Sequence, residues 1–324
     1  MLPTSTMTMR ALTLLLCIGS LSVVACGTTH APDEDAGAPD SAVPIDAQTP
    51  VDAMTPVDAY RPPGMVTRTV SIGPLSTGPG EEHTRCVVLD AGNEAPMMLV
   101  GVRVALTQGS HHVIVSRASD SPLDPVPSEC GAFSHGVSQT IFIAQQMDSG
   151  LTYPPGAGLR FEAHQHVGLE MHYINYFSDT PVDIQGNVEL DLVPIEEGFE
   201  EVQILFTGET ALYLPAHTET TVESHHSLPF GARVIGVTSH THELGVLATI
   251  HRVSGEGDPG GTLLHESSTW AEPPLDTFDP LLEMGGDDFR LRCTFNNTRD
   301  EAVTFGTGFR DEMCFLWAYY LEAR

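Results

Sequence analysis

The chain has 324 residues, with 14 basic and 43 acidic side chains and a formal net charge of −29 at pH 7. This charge argues against nucleic acid or an anionic membrane surface as a partner. The apolar fraction of 41% is sufficient for extensive cores, and the length predicts about two domains.

Residues 1–25 have the pattern of a bacterial lipoprotein signal peptide. Arg10 provides a positive charge, and the following apolar run, ALTLLLCIGSLSVVA, is too short for a membrane span. The run ends in VVAC, which resembles a lipobox and predicts cleavage before Cys26 and lipid attachment to its sulfur. An ordinary signal peptide cut nearby is the alternative. Gly27 follows Cys26 where Asp would stand in a retained lipoprotein, so delivery to the outer membrane is expected, with membrane contact only through the lipid.

Residues 26–65 are predicted to form a disordered tether. They are rich in Pro, Ala and Asp, and TPVDA occurs at 49–53 and again at 55–59. Such a segment buries too little apolar surface to offset the entropy lost on ordering. Because proline keeps a chain extended, we expect the tether to hold a folded body away from the membrane.

From about Val66 the sequence is typical of an all-β protein. Short runs rich in Val, Ile, Phe and Tyr are separated by Gly, Pro, Asp and Ser, and no window has a sustained helical period. The pattern predicts two β-sandwiches in series, residues 66–196 and 197–324, joined within the polar segment VPIEEGFEE. The runs that predict strands are VVLDAG, MMLVGVRVAL, HHVIVSRAS, VGLEMHYINYF, EVQILFTG, ARVIGVTS, VLATIHRV, EAVTFGTG and CFLWAYYLE.

Of the six cysteines, Cys17 leaves with the signal peptide and Cys26 carries the lipid, so four remain in the exported body. The compartment is oxidising after export, so these cysteines are expected to be paired. Four cysteines allow three pairings, and proximity in sequence favours one pair in each half, Cys86 with Cys130 and Cys293 with Cys314.

The first half carries five histidines beside two predicted strands. His111 and His112 are adjacent, so both can reach one metal if the strand bulges or starts irregularly there, or if the two rings use different nitrogens. A polar strand entrance is the alternative. His172 lies inside an apolar run, where an imidazole needs a polar partner. His164 and His166 precede that run in a more polar segment; we expect them to be solvated, and they are the alternatives to His172 as a ligand.

The second half offers a different set of ligands. In a strand, the two histidines of SHTH, His240 and His242, point to the same side and suit one metal; the polar face of a strand is the alternative. His225 and His226 are followed by Leu-Pro-Phe and are predicted to lie in a surface loop. Met313 would usually be core packing, but a thioether beside histidines favours reduced copper over zinc.

Four segments, in this order and at these separations, resemble the type II copper, ascorbate-dependent monooxygenases: HHVIV, LEMHYIN, SHTHELG and DEMCFLWAYYLE. That family includes peptidylglycine α-hydroxylating monooxygenase and dopamine β-monooxygenase. The resemblance covers roughly residues 80–324 and agrees with the favoured cysteine pairs. It implies two jelly-roll-like antiparallel β-sandwiches with one copper in each, facing each other across a solvent-filled cleft.

The resemblance implies two coppers per chain and hydroxylation of a C–H bond of a small organic substrate by dioxygen. Ascorbate or another one-electron reductant would reduce both coppers. The implied ligands are His111, His112 and His172 for the electron-transfer copper, and His240, His242 and Met313 for the oxygen-binding copper.

Three positions depart from the peptide-hydroxylating members. Thr238 stands where those members have an arginine that holds the substrate carboxylate, and Phe315 and Trp317 replace a polar Asn and Tyr. A peptidylglycine substrate is therefore not expected, and the pocket should be more apolar.

Two other functions fit parts of the sequence. A copper-binding envelope lipoprotein without turnover, for storage or delivery, would use the same ligands and the same anchor. A structural or adhesive sandwich would leave the histidines to bind zinc or nothing. Copper content and reductant-driven oxygen consumption distinguish the three possibilities.

Overall fold

The computed structural model describes residues 62–134, 136 and 140–324. The predicted signal peptide, Cys26 and the tether up to residue 61 lie outside the described residues. The described residues all fall within one compact unit, Asp58–Arg324. Within them there is no helix long and apolar enough to cross a membrane.

The regular structure of the described residues is β-strand, which confirms the all-β prediction. The strands of the first half are β1 (Val66–Thr77), β2 (Glu82–Asp90), β3 (Met97–Leu106), β4 (Ser110–Arg117), β5 (Asp124–Glu129), β6 (Thr140–Ala144), β7 (Asp148–Thr152), β8 (Ala157–Phe161), β9 (His166–Ile174), β10 (Val182–Pro194) and β11 (Glu200–Glu201). Those of the second half are β12 (Gln203–Glu209), β13 (Tyr213–Leu214), β14 (Thr218–Ser227), β15 (Arg233–His240), β16 (Gly245–Val253), β17 (Thr262–Ser267), β18 (Asp276–Glu283), β19 (Asp288–Asn297), β20 (Val303–Thr304) and β21 (Cys314–Leu321).

Strands β1 to β11 form two sheets that share a core. One sheet has the order β1-β10-β3-β8-β11, with β7 also beside β3, and the other has the order β5-β2-β9-β4-β6. Val102 and Leu190 of the first sheet and Val113 and Leu169 of the second are fully buried in this core. Alternation of apolar and polar residues on β1 and β10 gives each strand one face toward the core.

Strands β12 to β21 form a second group of sheets. The larger ones have the orders β12-β21-β15-β18 and β14-β19-β16-β17, and β13 pairs with β20. Val234 and Leu316 of the former and Ile250 and Leu291 of the latter share a second core. These antiparallel sheets fit the predicted sandwich-type fold. The boundary at 196/197 stays a prediction, and β11 beyond it still pairs with β8.

Strand β21 is buried on both faces and joins the two cores. Cys314, Leu316 and Ala318 pack in the second core, whereas Phe315 and Trp317, on the other face, pack in the core of the first half. A continuous apolar run is what a strand buried on both sides requires. The face of β21 that carries Trp317 therefore lies against the first half of the chain, next to the histidines described below.

Each half contains one disulfide bond, Cys86–Cys130 and Cys293–Cys314. The second bond closes a loop of 21 residues. Replacing Cys293 and Cys314 together by Ala should lower the free energy of unfolding by about 3 kcal/mol, because the unfolded chain regains the entropy of the open loop. Alanine is chosen because both sulfurs are buried and a serine hydroxyl there would lack a partner.

Chemical denaturation of the oxidised protein and the variant measures this difference. Replacing Cys86 and Cys130, which are 44 residues apart, should cost about 4 kcal/mol and serves as the comparison. An unchanged unfolding midpoint in both double variants would contradict the expectation.

Candidate metal centre

Five buried histidines converge between the two halves of the chain. One ring nitrogen from each of His111, His112 and His172 lies within 4.8 Å of the other two, and the same holds for one ring nitrogen from each of His111, His240 and His242. His111 therefore belongs to both groups. The ring centroids of His111 and His240 are 5.1 Å apart, and those of His112 and His240 are 5.2 Å apart.

A β-bulge at the start of β4 brings His111 and His112 into the same cluster. The pairing of β4 with β9 shifts register between Ser110 and His112, so His111 is the extra residue. An irregular start of the strand is one of the two ways in which adjacent histidines were expected to reach one metal. Gly109 precedes the bulge at φ 97°, where a Cβ atom would lie 2.8 Å from the Phe177 ring, so the turn favours glycine.

His172 lies directly opposite His112 on β9. Its Nε2 is 2.8 Å from Oε1 of Glu82. A carboxylate only accepts, so Nε2 carries the proton and Nδ1 is free to bind a metal. The same hydrogen bond is the main cause that lowers the pKa of Glu82. His111 Nδ1 is 3.4 Å from His172 Nδ1, so two nitrogen atoms that could bind a metal lie close together.

Only the first histidine of SHTH lies on a strand, so the prediction that both stand on one strand face is wrong. Strand β15 ends at His240, and His242 lies in the turn that follows. Buried Glu312 holds this turn by accepting hydrogen bonds from the backbone N–H groups of His242 and Leu244 at 3.0 and 2.6 Å. His242 Nδ1 donates a hydrogen bond to the carbonyl oxygen of Asp311 at 3.0 Å. Nε2 is therefore the nitrogen of His242 that can bind a metal.

Met313 joins the histidine cluster from the end of the chain. It is 4% exposed and immediately precedes β21. With His112, His172, His240 and His242 it lines a cavity of about 10 Å³, which is close to the space that one water molecule needs. The structure thus brings together all six side chains that the sequence singled out as ligands.

Burial favours the neutral form of four histidines of the cluster: His111, His112, His240 and His242. Loss of hydration is the largest cause that lowers the pKa values of His111, His112 and His240 well below the usual range, and neighbouring histidines lower them further. Burial lowers the pKa of His242 to about 4. Neutral imidazole is the form that binds a metal ion.

The donor set fits copper. Nδ1 of His112 is buried without a hydrogen-bond partner, and such an orphaned polar atom is costly unless a ligand satisfies it. Nitrogen donors combined with the thioether of Met313 favour copper over the hard cations and over zinc.

The expectation of a solvent-filled cleft between two separate ligand sets is wrong for the described residues. The rings of the two sets are in contact, and His172 and His242 have centroids only 6.4 Å apart. The physical reason is that Met313 and Trp317, in and beside β21, pack into the core of the first half. The two ligand sets therefore adjoin one another within one buried cluster.

The other two candidate pairs of histidines lie outside the cluster. His164 is an exposed residue at φ 55°, and His166 Nδ1 is 2.7 Å from the carbonyl oxygen of Ser121. His172 is therefore the member of this segment that reaches the site.

The surface loop predicted for His225 and His226 is wrong. Both lie in β14, which pairs with β19 along its whole length. His226 Nδ1 is 2.9 Å from the hydroxyl oxygen of Thr207. The Thr-rich residues before them form an alternating strand, which ends only before Leu-Pro at 228–229.

Several residues that support the ligands carry no motif of their own. Gln145 forms a hydrogen bond with His240, which is 95 residues away in the sequence. Glu82 forms one with His172, which is 90 residues away. Nothing local in the sequence marks either residue. Glu312 could have been suspected, since it stands next to Met313.

An aromatic cavity opens beside the cluster. It has a volume of about 330 Å³ and is lined by Tyr176, Phe177, Trp270 and Met147 together with His111 and Gln145. The Trp270 ring is 5.5 Å from the His111 ring. Among the described residues that line it, Glu272 is the only carboxylate and no arginine is present.

Acidification should destabilise the metal-free protein between about pH 6.5 and pH 4. In this range the unfolded chain protonates His242, whereas the folded protein does so only near pH 4. The unfolded state therefore binds more protons, and stability falls as the pH falls. The difference corresponds to about 3 kcal/mol for His242, and His111, His112 and His240 act in the same direction.

Glu312 opposes this trend. Burial raises its pKa to about 7, so between its unfolded value of 4.5 and 7 the folded state is the better proton binder. The stabilisation from Glu312 offsets the destabilisation from about one histidine. The free energy of unfolding should therefore still fall on acidification. Urea denaturation of the metal-free protein at pH 7, 5.5 and 4.5 measures the balance, with His242→Asn as the variant whose pH dependence should be shallower. Stability that is constant or rises toward pH 4.5 would contradict it.

The second half of the chain matches a known family. Residues 213–324 match the model described as copper type II ascorbate-dependent monooxygenase, C-terminal domain. The matched region contains His240, His242 and Met313.

Similar solved structures are viral coat proteins. The major capsid protein P2 from bacteriophage PM2 is 9% identical, with 80% of this chain and 98% of that chain covered and a TM-score of 0.33. The STIV MCP is 6% identical, with 79% and 96% covered and a TM-score of 0.31. TM-scores this low do not indicate a shared function. The similarity to the copper type II ascorbate-dependent monooxygenases covers residues 213–324, about the last third of the chain.

Proposed function

We propose that the protein is a copper-dependent monooxygenase that hydroxylates a C–H bond of a small organic substrate with dioxygen and a reductant such as ascorbate. The observation that carries the proposal is the convergence of five buried histidines and Met313 on one point. The family match over the residues that hold His240, His242 and Met313 supports it.

The proposed loading is two coppers per chain. One would be held by the Nδ1 atoms of the first-half histidines, and the other by the Nε2 atoms of the second-half histidines and the sulfur of Met313. Copper supplies one-electron redox chemistry and the capacity to react with dioxygen. Glu82 and the carbonyl of Asp311 hold the protons on the far nitrogens of His172 and His242, which fixes the nitrogen that each ring presents.

The reaction balances with two electrons and two protons. A C–H bond and dioxygen become C–O–H and one water molecule, while two ascorbate molecules each lose one electron. The chain's own contribution is to exclude bulk water from the ligands and to orient them. The histidine rings are buried, and the aromatic cavity meets the cluster at His111.

The aromatic cavity suits a small organic substrate. Its volume of about 330 Å³ is at the lower end for ligand sites. Thr238 is not free to hold a substrate carboxylate, because it is buried and its hydroxyl donates to the carbonyl oxygen of Pro274 at 2.8 Å. Since no arginine lines the cavity among the described residues, peptidylglycine remains an unsupported substrate.

Copper storage or delivery is the second candidate function. Placing all six donors in one buried cluster favours it more than two separated sites would, since a carrier needs only retention of the metal. The aromatic cavity next to His111 favours catalysis, because a carrier has no use for it.

The outer-membrane location through lipid on Cys26 is also proposed, from residues 1–65 alone.

Reductant-driven oxygen consumption tests the proposal. The copper-loaded full chain is given ascorbate, ¹⁸O₂ and a panel of small aromatic and aliphatic compounds, and products are analysed by mass spectrometry. We expect one compound to gain a single ¹⁸O atom with a matching uptake of oxygen. Copper that is bound and reduced by ascorbate, with no compound oxidised, would favour storage.

A further inference from the structure

Gln145 links the two halves of the chain at the metal centre. It follows β6 in the first half and is 5% exposed. Its Oε1 is 2.6 Å from Nδ1 of His240. Its Nε2 lies 2.9 Å from the carbonyl oxygen of Ser239 and 3.2 Å from the hydroxyl oxygen of Thr238. Each of these three partners belongs to β15, in the second half.

The contacts of Gln145 determine where the proton of His240 resides. A carbonyl oxygen only accepts, so the amide atom that faces Ser239 must be the nitrogen. The oxygen of the same amide therefore faces His240. Because that oxygen can only accept, His240 Nδ1 must donate and carries the proton. Nε2 of His240 is then the lone-pair nitrogen, available to the cluster.

We propose that Gln145 is a positioning residue that fixes the tautomer and orientation of His240 from the opposite half of the molecule. The inference rests on the proposed function only in naming copper as the group for which His240 is held. The tautomer of His242 is fixed in the same way by the carbonyl oxygen of Asp311, a residue of its own half. The orientation of His240 within the second ligand set therefore depends on a residue of the first half.

The surroundings of Gln145 add a reason for this assignment. Ser239 is held from its side chain as well, since its hydroxyl is 2.8 Å from Nε2 of His265, whose Nδ1 is 2.7 Å from Asp276. The backbone next to His240 is thus fixed, and Gln145 sets the remaining freedom of the ring. Gln145 also lines the aromatic cavity, so a substrate there would touch the residue that orients His240.

Two variants separate this role from simple packing. Gln145→Met keeps the approximate length of the side chain and removes its hydrogen bonds, whereas Gln145→Glu keeps an acceptor for the Nδ1 proton. Gln165→Met is the matched control, because Gln165 is equally buried at 4% and its hydrogen bonds go to Asn93, Ser119, Glu162 and His166, away from the cluster.

The first measurement is the ¹⁵N–¹H correlation spectrum of the imidazoles in the metal-free full chain. We expect the His240 proton on Nδ1 in the wild type and in Gln145→Glu, and its loss or exchange in Gln145→Met. Gln165→Met should give the wild-type pattern. This measurement involves no copper, so it stands even if the proposed function fails.

The second measurement is copper affinity. Gln145→Met should bind one of the two coppers about 10–100-fold more weakly, as for other residues that orient a ligand, and Gln145→Glu should recover most of that loss. A wild-type imidazole spectrum in Gln145→Met would overturn the positioning role. A wild type that binds no copper would overturn the proposed function while leaving the tautomer result to decide the role of Gln145.

Discussion

Replacing Met313 by Ile should reduce ascorbate-driven hydroxylation by more than about a hundredfold, beyond the usual effect of changing a residue that merely supports a ligand. Met313 is the sulfur donor of the cluster and is almost fully buried. Isoleucine fills a similar volume, so the fold should survive at a cost below about 1.5 kcal/mol. The copper held by the first-half histidines should remain.

The experiment compares hydroxylation rate, copper per chain and unfolding midpoint in the variant and the wild type. Met98→Ile is the matched control, since Met98 is 3% exposed and lies on β3, away from the cluster. It should keep full activity. Equal activity in Met313→Ile and wild type would remove Met313 from the mechanism.

Replacing His111 by Ala should weaken the binding of both coppers. His111 has a ligand nitrogen within 4.8 Å of those of His112 and His172 and also of those of His240 and His242. Loss of its ring therefore opens both ligand sets to water and removes a donor that stands between them. We expect the affinity for each copper to fall by at least about tenfold, as measured by competition with a chelator.

His172→Ala is the control for this prediction, because His172 belongs to only one of the two groups. It should weaken one copper and leave the other at wild-type affinity. If His111→Ala behaves in the same way, with one copper unaffected, the two ligand sets bind copper independently, which contradicts the expected effect of His111 on both coppers.

Much of the fold was predictable because its central strands are continuous apolar runs between turn residues. MMLVGVRVAL corresponds to β3, ARVIGVTS to most of β15 and CFLWAYYLE to β21. The strands that were missed, such as β10 and β19, alternate apolar residues with Glu, Asp, Asn or Arg. That alternation is the signal of a half-buried strand, and it is weaker in composition than a continuous run.

The identities of the candidate ligands were predictable, but their arrangement was not. An irregular strand was one of two ways for the adjacent His111 and His112 to reach one metal, and β4 has a bulge there. The distance between the two ligand sets depends on how β21 packs against the first half, which no local pattern encodes. Gln145 was missed for the same reason, since its partner is 95 residues away.

Copper per chain is the most direct test of a paired copper centre. The purified full chain is loaded with copper, excess metal is removed, and copper and zinc are measured by mass spectrometry against protein concentration. The account predicts two coppers per chain, with loss of at least one in His242→Ala. A wild type with one copper or none, or with zinc bound in preference to copper, would contradict it.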